Sequence, residues 1–155
     1  KWRTYPSRQE LPLLAESAQA TLKDIGMDVD INCTADNNSI VQDTAAWDVY
    51  AMANVQAPTG DPEYWFTVFA TSDATKNQGA YKNEKLDQLE EQLSQEFDTD
   101  KRAKLAVEMQ QTVLDDNAFV YCSFLKMSQI SRANVTGYMA HACDYYQVTA
   151  DLDIN

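Results

Sequence analysis

A chain of 155 residues has the size of one ordinary domain, and with 45% of its residues apolar it can bury a core. The 24 acidic and 12 basic residues give a formal charge of -12, which would repel a phosphate backbone, so nucleic acid is not expected as a partner. No apolar run approaches the roughly 18 residues of a membrane-spanning helix.

The first third of the chain has the pattern of a strand, a helix and a second strand. Residues 1–5 predict a strand that ends before Pro6. Ser7 and Glu10 have the spacing of a capping box, which predicts the start of a helix that ends at Gly26. One face of this helix is apolar and carries Leu11, Leu14, Ala15, Ala18, Leu22 and Ile25. Alternating apolar and polar residues over 27–34 predict the next strand, so the segment is typical of a βαβ unit.

The middle of the chain predicts a short helix, a strand and a binding loop. Polar residues 36–43 favour a short helix, and WDVYAMANV over 47–55 predicts a second parallel strand. QAPTGD over 56–61 indicates a loop, after which Pro62 opens an aromatic helix with Asp61 as its N-cap. Trp65 and Phe69 share a face of this helix and are expected in the core.

Two amphipathic helices follow the polar loop 72–82. Asn83 is expected to cap the first helix, and Asp98 the second. The first helix carries the apolar stripe Leu86, Leu89, Leu93 and Phe97, and the second carries Leu105, Met109 and Val113. The short connection between them predicts an antiparallel hairpin.

Apolar residues rich in β-formers occupy 118–125, with the sequence AFVYCSFL. This pattern predicts the central strand of the sheet, covered on both faces. Residues 127–134 and 145–154 predict weaker strands. The fold class is therefore predicted as α/β, with a central mixed sheet flanked by helices.

The sequence lacks the motifs of the common enzymes. It has no nucleophile elbow, no zinc-protease motif, no glycine-rich phosphate loop and a single histidine, so a catalytic triad, a zinc protease and a nucleotide-binding site are not expected. His141, Cys143 and Asp144 have a spacing that can supply three metal ligands, but an ordinary loop histidine is the favoured interpretation. Cys33, Cys122 and Cys143 are an odd number without zinc-site spacing, and their disulfide state stays open.

The loop 54–60 is the best candidate for a binding site. Ligand clefts in α/β sheets open at the carboxyl ends of parallel strands, and this loop leaves one such end. Tyr64 lies just beyond the loop, on a different helical face from the expected core pair, so it can line a cleft.

Five segments give the sequence a specific resemblance. In chain order they read LLAESAQATLKDIGMDVDI, AWDVYAMANV, GDPEYWF, NQGAYKNEKLDQLEEQ and DTDKRAKLAVEMQQTVLDDNAFVYCSF. Their order and spacing resemble the C-terminal lobe of the peptide/nickel family of extracytoplasmic solute-binding proteins, which serve ATP-driven importers.

The resemblance implies one lobe of a type II periplasmic-binding-protein fold, in a protein that is not an enzyme and whose two lobes close on a ligand. Residues 1–144 would be part of the C-terminal lobe. Residues 145–155 would be a terminal strand that crosses back to the N-terminal lobe, and we expect it to be poorly ordered or paired with another chain. The implied partners are that N-terminal lobe, an ABC permease and a small-molecule or peptide ligand. Any export signal or lipid anchor is expected upstream of Lys1.

The region before Asp61 reads NVQAPTG and contains no acid, whereas many peptide-binding members carry an aspartate there. Ala-Pro followed closely by Asp-Pro is more similar to the nickel-type members. The resemblance therefore favours nickel, held as a small chelate that is cargo and not a resident cofactor, over a peptide. In this interpretation, Asn54, Gln56 and Thr59 offer hydrogen bonds to the ligand. Tyr64 and Tyr81 form an apolar wall with a polar tip, and Asp61 is a structural helix cap.

Three alternatives stay open. The first is an oligopeptide- or dipeptide-binding protein of the same family. The second is a small metal-binding or redox protein that uses His141 and Cys143. The third is a free-standing interaction domain without a partner lobe.

Overall fold

The computed structural model describes residues 1–126, 128–139, 141 and 148–155. The chain divides into two compact units, Lys1–Asn54 and Val55–Asn155. In the described part of the chain, no helix combines the length and apolar character needed to cross a lipid bilayer.

The first unit contains a three-stranded parallel sheet in the order β2-β1-β3. The strands are β1 (Trp2–Thr4), β2 (Ile31–Cys33) and β3 (Val49–Tyr50), and the helices are α1 (Glu10–Lys23) and α2 (Asn37–Gln42). Trp2 is in register with Ile31 on one side and with Val49 on the other. The predicted βαβ unit and the second parallel strand are thus confirmed, although both flanking strands are shorter than predicted.

Helix α1 packs its apolar face on this sheet. Leu11 and Ala15 are buried together with Trp2 and Ala51, and Leu14 and Ala18 pack against this cluster. Gly26 follows the helix with a φ of +83°, a left-handed conformation that glycine adopts without a steric penalty, so the predicted end of the helix is confirmed.

Two details of this first unit were predicted wrongly. The helix begins at Glu10 with Gln9 at the N-cap position and no side-chain cap, so Ser7 lies too far upstream to form a capping box with Glu10. Ile25 and Met27 are exposed, because the chain between α1 and β2 makes a turn and the strand begins only at Ile31.

The second unit is built on a helical hairpin. It contains α3 (Glu63–Trp65), which continues into a π-helix over Phe66–Ala70, then α4 (Glu84–Gln95) and α5 (Thr99–Asp115). Strands β4 (Val135–Thr136) and β5 (Asp153–Ile154) form an antiparallel pair. Among the described residues, one buried apolar cluster of this unit contains Phe66, Ala70, Leu86, Leu89, Leu93, Ala106, Met109 and Val113.

The predicted caps of α4 and α5 are confirmed. The Asn83 side chain accepts the N–H of Leu86 at 3.0 Å, and the Asp98 side chain accepts the N–H of Lys101 at 3.0 Å. A Lys85–Glu108 ion pair of 2.9 Å joins the start of α4 to the second half of α5, as an antiparallel hairpin requires. Phe97 is 89% exposed and does not extend the apolar stripe, because α4 ends at Gln95.

The prediction of a central strand at 118–125 is wrong. Val120 is 87% exposed, and no strand is found over these residues. An apolar run indicates a surface that favours burial, but it does not specify a pairing partner, and the five described strands pair among themselves. The centre of the parallel sheet is β1.

The two weaker strand predictions were only partly correct. Residues 128–134 form no strand, and residue 127 and residues 145–147 lie outside the described residues. Asp153 and Ile154 pair with Thr136 and Val135 of the same chain, and the crossing of residues 145–155 to another lobe stays a prediction.

We expect the Leu93→Ala variant to lose about 2–5 kcal/mol of unfolding free energy, because it leaves a cavity in the fully buried core of the hairpin. Leu13→Ala is the matched control, since Leu13 is 65% exposed on α1. Urea denaturation of both variants measures the difference. Equal losses would contradict the assignment of Leu93 to the core.

Candidate functional site

The three parallel strands place their following loops at one edge of the sheet. Residues 5–7 follow β1, residues 34–38 follow β2, and residues 51–54 follow β3. In the order β2-β1-β3, the chain passes from β1 to β2 on one side and later returns to β3 on the other side of β1. Such a reversal of direction forms a crevice at the carboxyl edge of a parallel sheet.

An open hollow of about 310 Å³ lies at this edge, beside the ends of β1 and β2. Its lining consists of Tyr5, Pro6, Ser7, Ala35, Asp36 and Asn38. Hydroxyl, carboxylate and amide groups therefore surround a space near the lower limit for small-molecule sites. Sequence reasoning proposed only the loop after β3 and missed the loops after β1 and β2, although the predicted βαβ order places all three at one edge.

Hydrogen bonds from β1 and Tyr5 fix the backbone that leaves β3. The Thr4 hydroxyl donates to the Ala51 carbonyl at 3.1 Å and is fully buried. The Tyr5 hydroxyl accepts the N–H of Ala53 at 3.1 Å and donates to the Ala53 carbonyl at 3.4 Å. The loop therefore has a rigid start, directly before the exposed Asn54.

The predicted binding residues belong to different units. Asn54 ends the first unit, whereas Gln56, Thr59, Tyr64 and Tyr81 lie in the second. Gln56 and Thr59 share one loop, Gln56 half-buried and Thr59 exposed. The side chains of these loop residues form no hydrogen bond within the described part of the chain, so their polar groups are available to a ligand.

The second half of the loop is a tight turn. The Gly60 N–H donates to the Ala57 carbonyl at 3.0 Å, and Gly60 has a φ of +83°, which favours glycine at this position. Tyr64 follows the turn with its ring partly exposed and in edge contact with Phe69, at a centroid distance of 6.5 Å.

Asp61 ends the loop and begins α3. Its Oδ1 accepts the N–H of Glu63 at 2.9 Å, and Arg102 Nη2 donates to both of its carboxylate oxygens, at 2.9 and 2.7 Å. Burial raises the pKa of Asp61, but the hydrogen bonds from Arg102 and the Glu63 N–H, together with the Arg102 charge, more than offset this and lower it. Sequence reasoning missed Arg102, because nothing in a single sequence pairs positions 41 residues apart.

Tyr81 uses its hydroxyl inside its own unit. This hydroxyl donates to Asp116 Oδ2 at 2.6 Å, and Asn83 Nδ2 donates to the same oxygen at 2.6 Å. The ring contacts Phe119 and packs against the core. Burial and the bond to Asp116 raise the pKa of Tyr81 to about 12, and the bonds from Tyr81 and Asn83 lower the pKa of Asp116. A role for Tyr81 in ligand binding stays a prediction.

The metal-ligand hypothesis falls largely outside the described residues. Cys143 and Asp144 are not described, and His141 makes a contact of its own. Over the described ranges, no cluster of three histidine, cysteine, aspartate or glutamate side chains has the geometry to hold a metal ion. Cys33 and Cys122 are exposed free thiols.

Comparisons with known proteins identify the fold. The structure superposes on crystallised NikA from Staphylococcus aureus, in complex with Ni(L-His)2, with a TM-score of 0.81 and 23% identity over 99% of this chain and 33% of that one. A nickel ABC transporter protein from Bacillus halodurans matches with a TM-score of 0.70 and 27% identity, over 76% of this chain and 25% of that one. The substrate-binding protein CtaP from Listeria monocytogenes matches with a TM-score of 0.62 and 25% identity, over 74% and 24%.

A sequence comparison agrees with these structural matches. The nickel-binding protein NikA from Staphylococcus aureus is 30% identical over 103 residues, which are 66% of this chain and 21% of that protein. The chain is thus similar in sequence and in fold to part of a nickel-binding protein. No protein-family model matches the chain. The resemblance and the α/β fold class are confirmed, and the chain spans about a fifth of the length of the curated relative that it matches.

Removing the Tyr81 hydroxyl tests the contact with Asp116. We expect Tyr81→Phe to lose about 0.5–1.5 kcal/mol of unfolding free energy at neutral pH. Because the folded pKa of about 12 exceeds the ordinary value of 10, the native bond stabilises fully below pH 10 and is lost as the pH rises through 12. The difference between native protein and variant should therefore shrink over this range.

Tyr64→Phe is the matched control, since the Tyr64 hydroxyl has no partner among the described residues and its ring is partly exposed. Urea denaturation at a series of pH values measures both variants. A Tyr81→Phe variant as stable as Tyr64→Phe at neutral pH would contradict the importance of the bond.

Proposed function

We propose that this chain is the C-terminal-lobe part of an extracytoplasmic receptor that captures nickel as a small chelate and delivers it to an ABC permease. The receptor works by binding and domain closure and makes or breaks no covalent bond. Attachment to the outer face of the membrane by a lipid anchor belongs to the same proposal.

The observation that carries this proposal is the 30% identity to the nickel-binding protein NikA over 103 residues. The fold supports it, because nearly the whole chain superposes on NikA from Staphylococcus aureus, a protein crystallised with Ni(L-His)2. The nickel ABC transporter protein from Bacillus halodurans, at 27% identity, supports the same class of cargo.

The chemistry of the loop favours a chelate over a peptide. Asn54, Gln56 and Thr59 offer neutral amide and hydroxyl groups. Asp61 is the nearest carboxylate in the sequence, and both of its oxygens accept hydrogen bonds from Arg102. The loop thus presents no unpaired acid to a peptide amino terminus, whereas neutral donors and acceptors suit the outer groups of a chelate.

Calorimetric titration of the receptor with both lobes tests the proposed cargo. The probes are free nickel ion, nickel with histidine and a pool of short peptides. We expect saturable binding of nickel with histidine and no binding of the peptides. Tight binding of peptides alone would contradict the nickel assignment and favour the peptide-binding alternative.

Variants of the loop test its role in this binding. We expect Gln56→Ala and Thr59→Val each to weaken binding of nickel with histidine by about threefold to tenfold, the equivalent of one hydrogen bond. The matched controls are Gln92→Ala on α4 and Thr21→Val on α1, both at exposed positions. Loop variants that bind as tightly as these controls would exclude the loop as a ligand contact.

Metal analysis of the purified chain tests the metal-binding or redox alternative. Stoichiometric transition metal that is retained without added chelator, and lost in His141→Ala, would favour that alternative over a receptor for a chelate.

A further inference from the structure

One arginine joins three separate segments of the second unit. Arg102 lies in the first turns of α5, and its side chain is only 17% exposed. Its Nη1 donates to the carbonyls of Leu93 and Glu96 at the end of α4, at 2.6 and 2.7 Å. Its Nη2 donates to the carboxylates of Asp61 and Glu63, at distances of 2.6 to 2.9 Å.

The planar fork of arginine suits this position. The last carbonyls of a helix lack partners within the helix and form the negative end of its dipole, so a cation that donates to them is stabilising. The same guanidinium also faces two carboxylates, and only arginine has enough donors in a fixed plane for both groups. Arg102 therefore links the rigid hairpin to the start of α3.

That link ends at the binding loop. Asp61 directly follows Gly60, and its Oδ1 also accepts the N–H of Glu63. Within the described residues, the rest of the loop has one backbone hydrogen bond, from Gly60 to Ala57, and contributes no side-chain hydrogen bonds, although residues 55–58 are half-buried. Packing of Phe66 holds the following helix on the hairpin, and the bond between Asp61 and Arg102 is the link that reaches the end of the loop itself.

We propose that Arg102 is a positioning residue for ligand capture, which holds the loop 55–60 in its binding conformation through Asp61. This inference rests on the proposed function, in which the loop contacts the ligand. A loop that is ordered before binding loses less conformational entropy when the ligand arrives, so the anchor raises affinity without touching the ligand.

The test compares Arg102→Met with a variant of similar stability. Leu89→Ala removes buried apolar volume from the same hairpin and leaves the anchor intact. Three quantities are measured for each protein: thermal stability, amide hydrogen exchange over residues 57–63 without ligand, and affinity for nickel with histidine.

We expect Arg102→Met to speed exchange at the Gly60 and Glu63 amides and to weaken binding about tenfold. Leu89→Ala should lower stability as well, yet keep loop exchange and affinity within about twofold of native values. Arg102→Lys retains the charge but not the fork, so its affinity should lie between the native protein and Arg102→Met.

A double variant tests whether Arg102 acts through Asp61. Asp61→Asn combined with Arg102→Met should bind as weakly as Arg102→Met alone, because both changes break one link. Native loop exchange in Arg102→Met, or an equal loss of affinity in Leu89→Ala, would overturn the inference. If the native receptor binds no nickel with histidine, the proposed cargo fails, while the exchange data still decide whether Arg102 holds the loop.

Discussion

The parallel pairing of β1 with both of its neighbours determines the layout of the first unit. Trp2 is in register with Ile31 and Val49, so all three strands run in one direction and their following loops meet at one edge. Parallel strands need crossover connections, and α1 supplies the first one while burying its apolar face on the sheet. The polar hollow and the start of the candidate binding loop are both consequences of this register.

The second unit depends on a different kind of interaction. Its hairpin has an apolar core, with Leu93 and Met109 fully buried, and Phe66 and Ala70 of the helix that continues α3 belong to this core. Ion pairs from Arg102 add a second link, at the start of α3. Two neighbouring carboxylates, those of Asp61 and Glu63, would repel each other at the start of a short helix without the guanidinium of Arg102. A rigid hairpin and a charge-assisted anchor together fix a loop that has little structure of its own.

Local chemistry explains which elements could be predicted from the sequence. Asn83 and Asp98 cap their helices because each side chain accepts a hydrogen bond from an amide only three residues away. Gly26 could be predicted at the end of α1 because its positive φ is a requirement of the local backbone turn. The failures have long-range causes. The apolar run at 118–125 does not encode its partner, and Arg102 meets Asp61 across 41 residues of chain. Ser7 has the right spacing for a cap, but the helix begins too late for it to serve.

The candidate site combines a strong overall charge with a locally neutral surface. A chain with a formal charge of -12 attracts cations over long distances, yet this attraction does not discriminate between them. Discrimination needs short-range contacts, and the side chains of the loop supply neutral amides and a hydroxyl, while its one carboxylate is paired with Arg102. For the proposed chelate cargo, this arrangement would separate two roles: the acidic surface would concentrate the metal near the receptor, and the neutral loop would recognise the chelator by hydrogen bonds. The anchor at Asp61 connects the two roles, because the same ion pair that neutralises the carboxylate also fixes the loop in place.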